Sequence, residues 1–295
     1  MTEDAISAPR RESSLIRLVK GMALIRESWV GMIGLGIIFF WVLVAFFADV
    51  LAPFPPNSPG APMTLPGGPA IDGTSIHWLG TDHLGRDILS RIIYGSRQVL
   101  LYAPLATVCA YAVGIPMGLA AGYRRGLTDD VLSFIANVIL SFPVLVLYII
   151  IIATIGASGF NIVIAVTFAS APGIMRIVRG LVLDLRNREY VFAAETRGES
   201  SWRIMMVEIL PNARGPLIVD SCLRLGYVII TIGTLGFLGL GLPPPDPDWG
   251  GMITETRTFI PFMPHMAVFP CIAISSLVLG FNLLADGLRE VSLRD

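Results

Sequence analysis

Between Asp130 and Arg176 lie 45 consecutive residues without one Asp, Glu, Lys or Arg. A helix rising about 1.5 Å per residue crosses about 30 Å of hydrocarbon in about 20 residues, so this run is too long for a single crossing. A break has to divide it, and Gly156-Ala157-Ser158-Gly159 followed by Asn161 supplies one. The sequence therefore predicts a helical hairpin of two membrane spans, three and four. Uncharged stretches at 28–48, 98–123, 225–245 and 266–285 supply spans one, two, five and six, with span five starting from about Gly215. The first run is longer than the apolar core of a signal peptide and lacks a small-residue cleavage site, so it reads as an uncleaved anchor. A chain of 295 residues with 54% hydrophobic side chains, 15% charged ones and a mean hydropathy of +0.71 is too apolar for a soluble domain. The expected fold class is all-α, a polytopic membrane bundle of six transmembrane helices.

Charge then orients the bundle. Sixteen of the 21 basic residues fall on one face: Arg10, Arg11, Arg17, Lys20 and Arg26, then Arg124 and Arg125, seven arginines within 176–214, and Arg289 and Arg294 in the tail. Arg86, Arg91, Arg97 and Arg257 fall on the other, and Arg224 sits near the start of span five. The positive-inside rule makes both termini and the 176–214 segment cytoplasmic. The expected divisions are a cytoplasmic segment 1–28, span one at 29–51, an external loop with an interfacial helix at 52–97, a core of spans two to six at 98–288, and a tail 289–295. The loop begins with a Pro/Gly-rich stretch from Pro53 to Pro69 that is too broken for regular elements. A net charge of −1 gives no footing for a nucleic-acid partner. Cys109, Cys222 and Cys271 form no C-x-x-C pair and are expected to be free, buried thiols.

Residues 189–212, within a cytoplasmic arm at 183–212, are polar yet set between membrane spans. From Glu189 to Arg197 every residue tolerates a helix, Gly198 can turn the chain at positive φ, and Ser200 or Ser201 can cap a second short helix that Pro211 would close. Tyr190, Val191, Ala194 and Trp202 are apolar anchors ringed by charge, suited to a groove on another protein. The pattern equally allows a loop helix lying on the membrane surface. The arm resembles the EAA loop of binding-protein-dependent ATP-binding-cassette importers, with Ala193, Ala194, Gly198, Leu210 and Pro211 at matching positions. Phe192 stands at the family's Glu position and Glu208 at its Ile position, with Ile209 adjacent.

The stretches HWLGTDHLGRDILSRIIYGSR at 77–97, PGIMRIVRG at 172–180 and GFLGLGLPPPDPDWGGMI at 236–253 are similar to the second, C-type, membrane subunit of dipeptide, oligopeptide and nickel permeases. That resemblance implies the type I importer permease fold and a heterodimer with a related permease. It further implies two ATPase subunits, carrying ATP and Mg, that grip the arm through Glu189, Tyr190, Phe192, Ala193, Ala194, Gly198, Trp202, Leu210 and Pro211. A substrate-binding protein would meet the outer segments at Asp82, Arg86, Asp87, Arg91, Asp248 and Trp249. The chain itself has no G-x-x-x-x-G-K-[ST] motif, and its single lysine is Lys20, so it is expected to be non-catalytic and free of cofactors.

Other residues admit two readings. In 77–97, Thr81 or Asp82 can cap a helix with Leu84, Ile88, Leu89, Ile92 and Ile93 on one face, either an interfacial anchor or a partner contact. Gly114, Gly118 and Gly122 favour close helix packing over gating. Gly233, Gly236, Gly239 and Gly241 mark a hinge or simply the end of span five. Asp220 and Arg224, spaced i,i+4, form a structural pair or an inner gate. His77, His83 and His265 are scattered, which suits solvated side chains better than a metal relay. The expected cargo is a dipeptide or oligopeptide, with nickel, glutathione or an oligosaccharide as alternatives. An ion-driven secondary transporter and a structural anchor are the rivals from other classes.

Overall fold

The computed structural model describes residues 28–292. The cytoplasmic segment's basic residues and Arg294 lie outside this range. Five helices are long and apolar enough to cross a membrane, and a bent pair supplies the sixth crossing. The expected all-helical bundle is the observed one.

Helix α1, Trp29–Phe46, starts where the Ser28 hydroxyl oxygen accepts the Gly31 amide and donates to Glu290 Oε2 at 2.8 Å. A single turn, α2 (Ala48–Leu51), follows. Helix α3 (Ile88–Arg124) is one continuous element of 37 residues. The separate helix expected within 77–97 is therefore corrected. Neither Thr81 nor Asp82 caps it; Gly80 and Gly85 at φ of +78° and +79° hold 78–87 as a loop, and Asp87 is the cap, taking the Ser90 amide at 2.8 Å. Ile88, Ile92 and Ile93 are buried in protein rather than lying in the lipid boundary, while Leu84 is exposed. The preceding loop is irregular as expected, apart from a two-residue pairing of β1 (Gly68–Pro69) with β2 (Ile76–His77).

Span three is not straight. Helices α4 (Leu127–Ser141) and α5 (Val144–Ile155) meet at 89°. Pro143 pushes Phe142 into an extended conformation, φ −82° and ψ 141°, and ends α4. The next break falls where the sequence placed it: Gly156 adopts φ +92°, and Asn161 Nδ2 donates to the carbonyls of Ile155 and Gly156, both at 2.9 Å.

Helix α6 (Gly159–Leu185) packs along α3. A methyl on Gly114 would stand 2.7 Å from Ile174 Cβ, one on Gly118 2.5 Å from Val178 Cβ, and one on Gly122 2.7 Å from Val182 Cβ. The glycine ladder is thus a backbone-approach surface for α6. The arm follows as α7 (Glu189–Thr196), α8 (Ser201–Arg203) and a π-helical turn, Ile204–Ile209, leading into α9 (Leu210–Phe237). Pro211 does not close a helix as expected. The wider π turn absorbs its missing N–H and ring, and the chain continues helical through Pro211 and Pro216.

Beyond α9, the short α10 (Trp249–Thr256) precedes α11 (His265–Ser292). The expected burial of all three thiols needs correction. They are free, but only Cys222 is buried, with Cys109 intermediate and Cys271 exposed. Lipid-facing and protein-facing helix surfaces are equally apolar, so apolar neighbours in sequence do not report burial here.

Candidate functional site

The arm is an elbow with a seated side and an open side. On the seated side Val191, Ala194, Ile204, Met205 and Ile209 are at most 1% exposed and pack with Ala110 and Leu119 of α3, Ile174, Val178 and Val182 of α6, and Ala213 and Leu217 of α9. Gly198 turns the chain at φ +72°, and the Ser200 hydroxyl caps α8 by accepting the Arg203 amide. Of the four anchors expected to face a partner, Val191 and Ala194 are instead buried inside this chain, and Tyr190 is half-buried with its hydroxyl unbonded. Their spacing put them on one helix face, and that face belongs to the bundle.

What the open side presents is Phe192 and Trp202, 53% and 57% exposed, with Glu189, Ala193, Gly198 and Pro211 also exposed and Leu210 half-buried. Charges brace the elbow across its bend. Glu199 accepts from Arg197 at 2.9 Å and from Arg203 at 3.2 Å, and Arg197 reaches Glu208 at 3.8 Å. The Arg197 guanidinium beside Glu199, aided by Arg203, holds its carboxyl below the usual range. Tyr123 at the end of α3 donates to Glu195 Oε1 at 2.9 Å, and Arg186 donates to the Tyr123 carbonyl at 3.0 Å. The arm is therefore tied to the ends of α3, α6 and α9. Ile209, next to Glu208, is fully buried.

At the end of α9 away from the arm, the six residues expected to meet an external partner all lie inside the chain. Asp82, Arg86, Asp87, Arg91, Asp248 and Trp249 are 0 to 7% exposed. Arg86 pairs with Asp82 at 2.6 Å and with Glu255, and Arg91 donates to Asn57 Oδ1 at 2.9 Å and approaches Glu255 at 3.8 Å. Asp87 also takes His77 Nδ1 at 2.8 Å, so His77 is a buried, paired side chain and not a solvated one. Among the described residues no three His, Cys, Asp or Glu converge into a metal-ligand set. Trp249 donates from Nε1 to the Ile92 carbonyl at 3.0 Å and meets the Trp41 ring at 5.0 Å, which joins α10 to α3 and α1. Asp248 caps α10 through the Gly250 and Gly251 amides, and its carboxyl rests against Gly236 and Gly241, explaining the glycines at the end of α9. Burial pushes that carboxyl up to about 6 despite the amides that lower it.

Within the bundle Asp220 and Arg224 do pair, Nε to Oδ2 at 2.7 Å, and Tyr111 of α3 donates to the same carboxylate. Sequence reading missed Tyr111, Glu255, Glu199 and Arg186. Each acts through a partner on another element or through a backbone carbonyl, and no local spacing announces them.

A bundle of this kind, with a braced elbow at one end and a charged, buried platform at the other, defines a multi-span membrane protein. Its backbone is similar to that of the inward-facing MetNI methionine ABC transporter, with a TM-score of 0.59 at 17% identity, over 69% of this chain and 97% of that one. Residues 114–294 match the family of binding-protein-dependent transport system inner membrane components, and residues 24–66 match the N-terminal transmembrane domain of oligopeptide transport permease C. The chain belongs to that inner-membrane permease family, in which this subunit is non-catalytic and the ATPase is a separate subunit. It is 39% identical to the glutathione transport system permease protein GsiD of Pectobacterium atrosepticum, covering 84% of this chain and 81% of the relative. It is 38% identical to the dipeptide transport system permease protein DppC of Alkalihalophilus pseudofirmus, covering 90% and 86%. A second DppC, from Haemophilus influenzae, is 36% identical over 88% of each chain.

Proposed function

We propose that this chain is one of two different permease subunits of an ATP-driven importer of dipeptides or short oligopeptides, with both termini in the cytoplasm. The observation that carries the coupling half of this reading is the elbow: exposed Phe192 and Trp202 on a support whose opposite face is locked into α3, α6 and α9. An ATPase pair would grip this open side, with Glu189, Ala193, Gly198 and Pro211 as the surrounding contacts. Closing of that pair would displace the elbow, and the buried Val191, Ala194 and Ile209 would carry the displacement into the spans. The substrate-binding protein would dock on the outer surface that Asp82, Arg86, Asp87, Arg91, Asp248 and Trp249 hold in shape from within.

The peptide half rests on the two dipeptide permeases among the relatives. The glutathione permease supports a second reading of the same chemistry, a peptide with a γ-linkage. Reconstituting the chain in proteoliposomes with a second permease, the ATPases and the binding protein tests both. ATP-dependent uptake of labelled dialanine is expected, and glutathione uptake without dialanine uptake selects the second cargo. Uptake abolished by a protonophore and indifferent to ATP depletion would overturn the ATP-driven mechanism.

A further inference from the structure

Helix α9 carries a polar stripe that the rest of the chain leaves partly open. Asp220, Arg224, Tyr227, Thr231 and Thr234 follow at alternating steps of four and three residues, which keeps them on one helix face. Tyr227 is 68% exposed, and the Thr231 and Thr234 hydroxyls bond back to their own helix at 2.9 and 2.8 Å. The neighbouring face of α6 offers Ser170, Gly173 and Arg176. The terminal nitrogens of Arg224 stand 3.5 and 3.6 Å from the place a methyl on Gly173 would occupy. One turn further along α6, Arg176 is exposed and donates to Asn137 Oδ1 at 2.6 Å in a cavity of about 370 Å³ lined by Ser133, Asn137, Arg176 and Arg179.

The charges on this wall do not cancel. Arg179 is matched by Asp129 at 2.7 Å, and Arg224 by Asp220. Arg176 has no carboxylate partner among the described residues. A polar face that runs from Tyr227 and Arg224 in the span to Arg176 at its cytoplasmic boundary would be costly against hydrocarbon and belongs on a water-filled route. The larger cleft, about 500 Å³, is lined by Cys109, Phe160, Phe168 and Pro172 and is too apolar to pass a hydrophilic solute.

We propose that Arg224 of α9, which lies beside Gly173, and Arg176, one turn further along α6, form a carboxylate-reading site that holds the free carboxylate of the transported solute on its way through. The site rests on the peptide reading above. A guanidinium matches a carboxylate in charge and in planar, forked geometry. Asp220 takes Nε of Arg224, whose two terminal nitrogens lie beside Gly173 of α6, and Asn137 steadies Arg176 without neutralising it. Asp220 and Asn137 are positioning residues.

Two measurements on the full complex test the site. In the first, phenylglyoxal modification of Arg176 and Arg224 is followed by peptide mass spectrometry. Millimolar dialanine slows modification several-fold and dialanine amide leaves it unchanged. Absence of protection by the free acid overturns the site whatever transport shows, and protection that requires phosphatidylglycerol in the vesicles overturns it in favour of a lipid headgroup. In the second, the ratio of dialanine to dialanine amide uptake is compared between wild type and Arg176→Gln or Arg224→Gln. The binding protein's own preference is the same in each preparation and cancels. The ratio falls about tenfold in either variant, the scale of one hydrogen bond to a charged group, and Lys in place of Arg recovers part of it. Equal loss on acid and amide overturns the proposal. Intact carboxylate protection without dialanine uptake by wild type supports the site and refutes the peptide cargo instead.

Discussion

Gly198 is the joint on which the elbow turns, and its cost of substitution can be worked from the backbone alone. Its φ is +72°, and a Cβ added there would meet no atom of this chain within 4 Å. Any penalty is therefore conformational. An L-residue in the left-handed region costs about 1–2 kcal/mol, β-branched residues more, and Asn little. The graded series Gly198→Asn, Gly198→Ala and Gly198→Val should then shift the elbow from its bent form by about 0, 1 and 2 kcal/mol or more. Since about 1.4 kcal/mol is a factor of ten, Val lowers the ratio of bent to unbent elbows about 30-fold or more relative to Gly. The assay is uptake per ATP hydrolysed in proteoliposomes, alongside co-purification of the ATPase subunits. Coupling should fall in the order Asn, Ala, Val while the assembled complex is still recovered. Asn damaging coupling as much as Val would refute the reasoning, because side-chain bulk against a partner and not backbone conformation would then be the cause. Undiminished coupling in Gly198→Val would refute the role of the bend itself.

Trp202→Ala should weaken association with the ATPase by about 2 kcal/mol, roughly 30-fold, as an exposed aromatic anchor would, without lowering the melting temperature of the isolated chain; unchanged co-elution counts against the open side as the grip. Gly118→Val should destabilise by about 1–3 kcal/mol, because it drives into Val178 and the Met175 carbonyl, whereas Gly180→Ala, with nothing within 4 Å, should be neutral; fluorescence-detected melting in detergent separates the two. Asp248 has its carboxyl raised from 3.8 to about 6, so the fold binds this proton more tightly than the unfolded chain does. Its stabilising contribution is complete below about pH 4 and is lost as pH rises through about 6, on the order of 3 kcal/mol in all. Asp248→Asn should keep the cap and remove that slope; identical pH dependence of melting in the two proteins would show the buried carboxyl is not the source.

The contrast between two prolines shows what the sequence could and could not say. Pro143 and Pro211 carry the same local instruction: no N–H, and a ring that crowds the preceding turn. At Pro143 the preceding Phe142 goes extended and the chain turns through 89°. At Pro211 a π turn absorbs the defect and the helix runs on, because Ile204, Met205 and Ile209 are held in the packed cluster that joins α3, α6 and α9. Tertiary packing decided between two locally equivalent outcomes. The hairpin break at Gly156–Gly159 was legible because everything that makes it, Gly156 at positive φ and the Asn161 amide on two carbonyls, lies within six residues.

The same distinction governs the functional residues. The open arm was legible in composition and spacing, since a polar stretch between membrane spans has to lie outside hydrocarbon. Which of its apolar side chains face outward was not, because Val191, Ala194 and Trp202 look alike as anchors until the bundle claims the first two. The outer charges failed for the opposite reason. Arg86 and Arg91 sit 169 and 164 residues before Glu255 in the chain, so their neutralisation is invisible to any local window. Read alone they resemble a solvated, partner-seeking face; paired with Asp82 and Glu255 they become the interior of a platform. A charge far from its partner in sequence is thus the least readable feature of a membrane chain and, once the bundle is assembled, one of the most constraining. A pair such as Asp220 and Arg224 shows its attraction to a local reading but not Tyr111, the third member on another helix, whose hydroxyl ties the pair to α3. With Asp220 bonded to both Tyr111 and Arg224, the pair is anchored to α3 as well as to its own helix, and no spacing along α9 could have shown it.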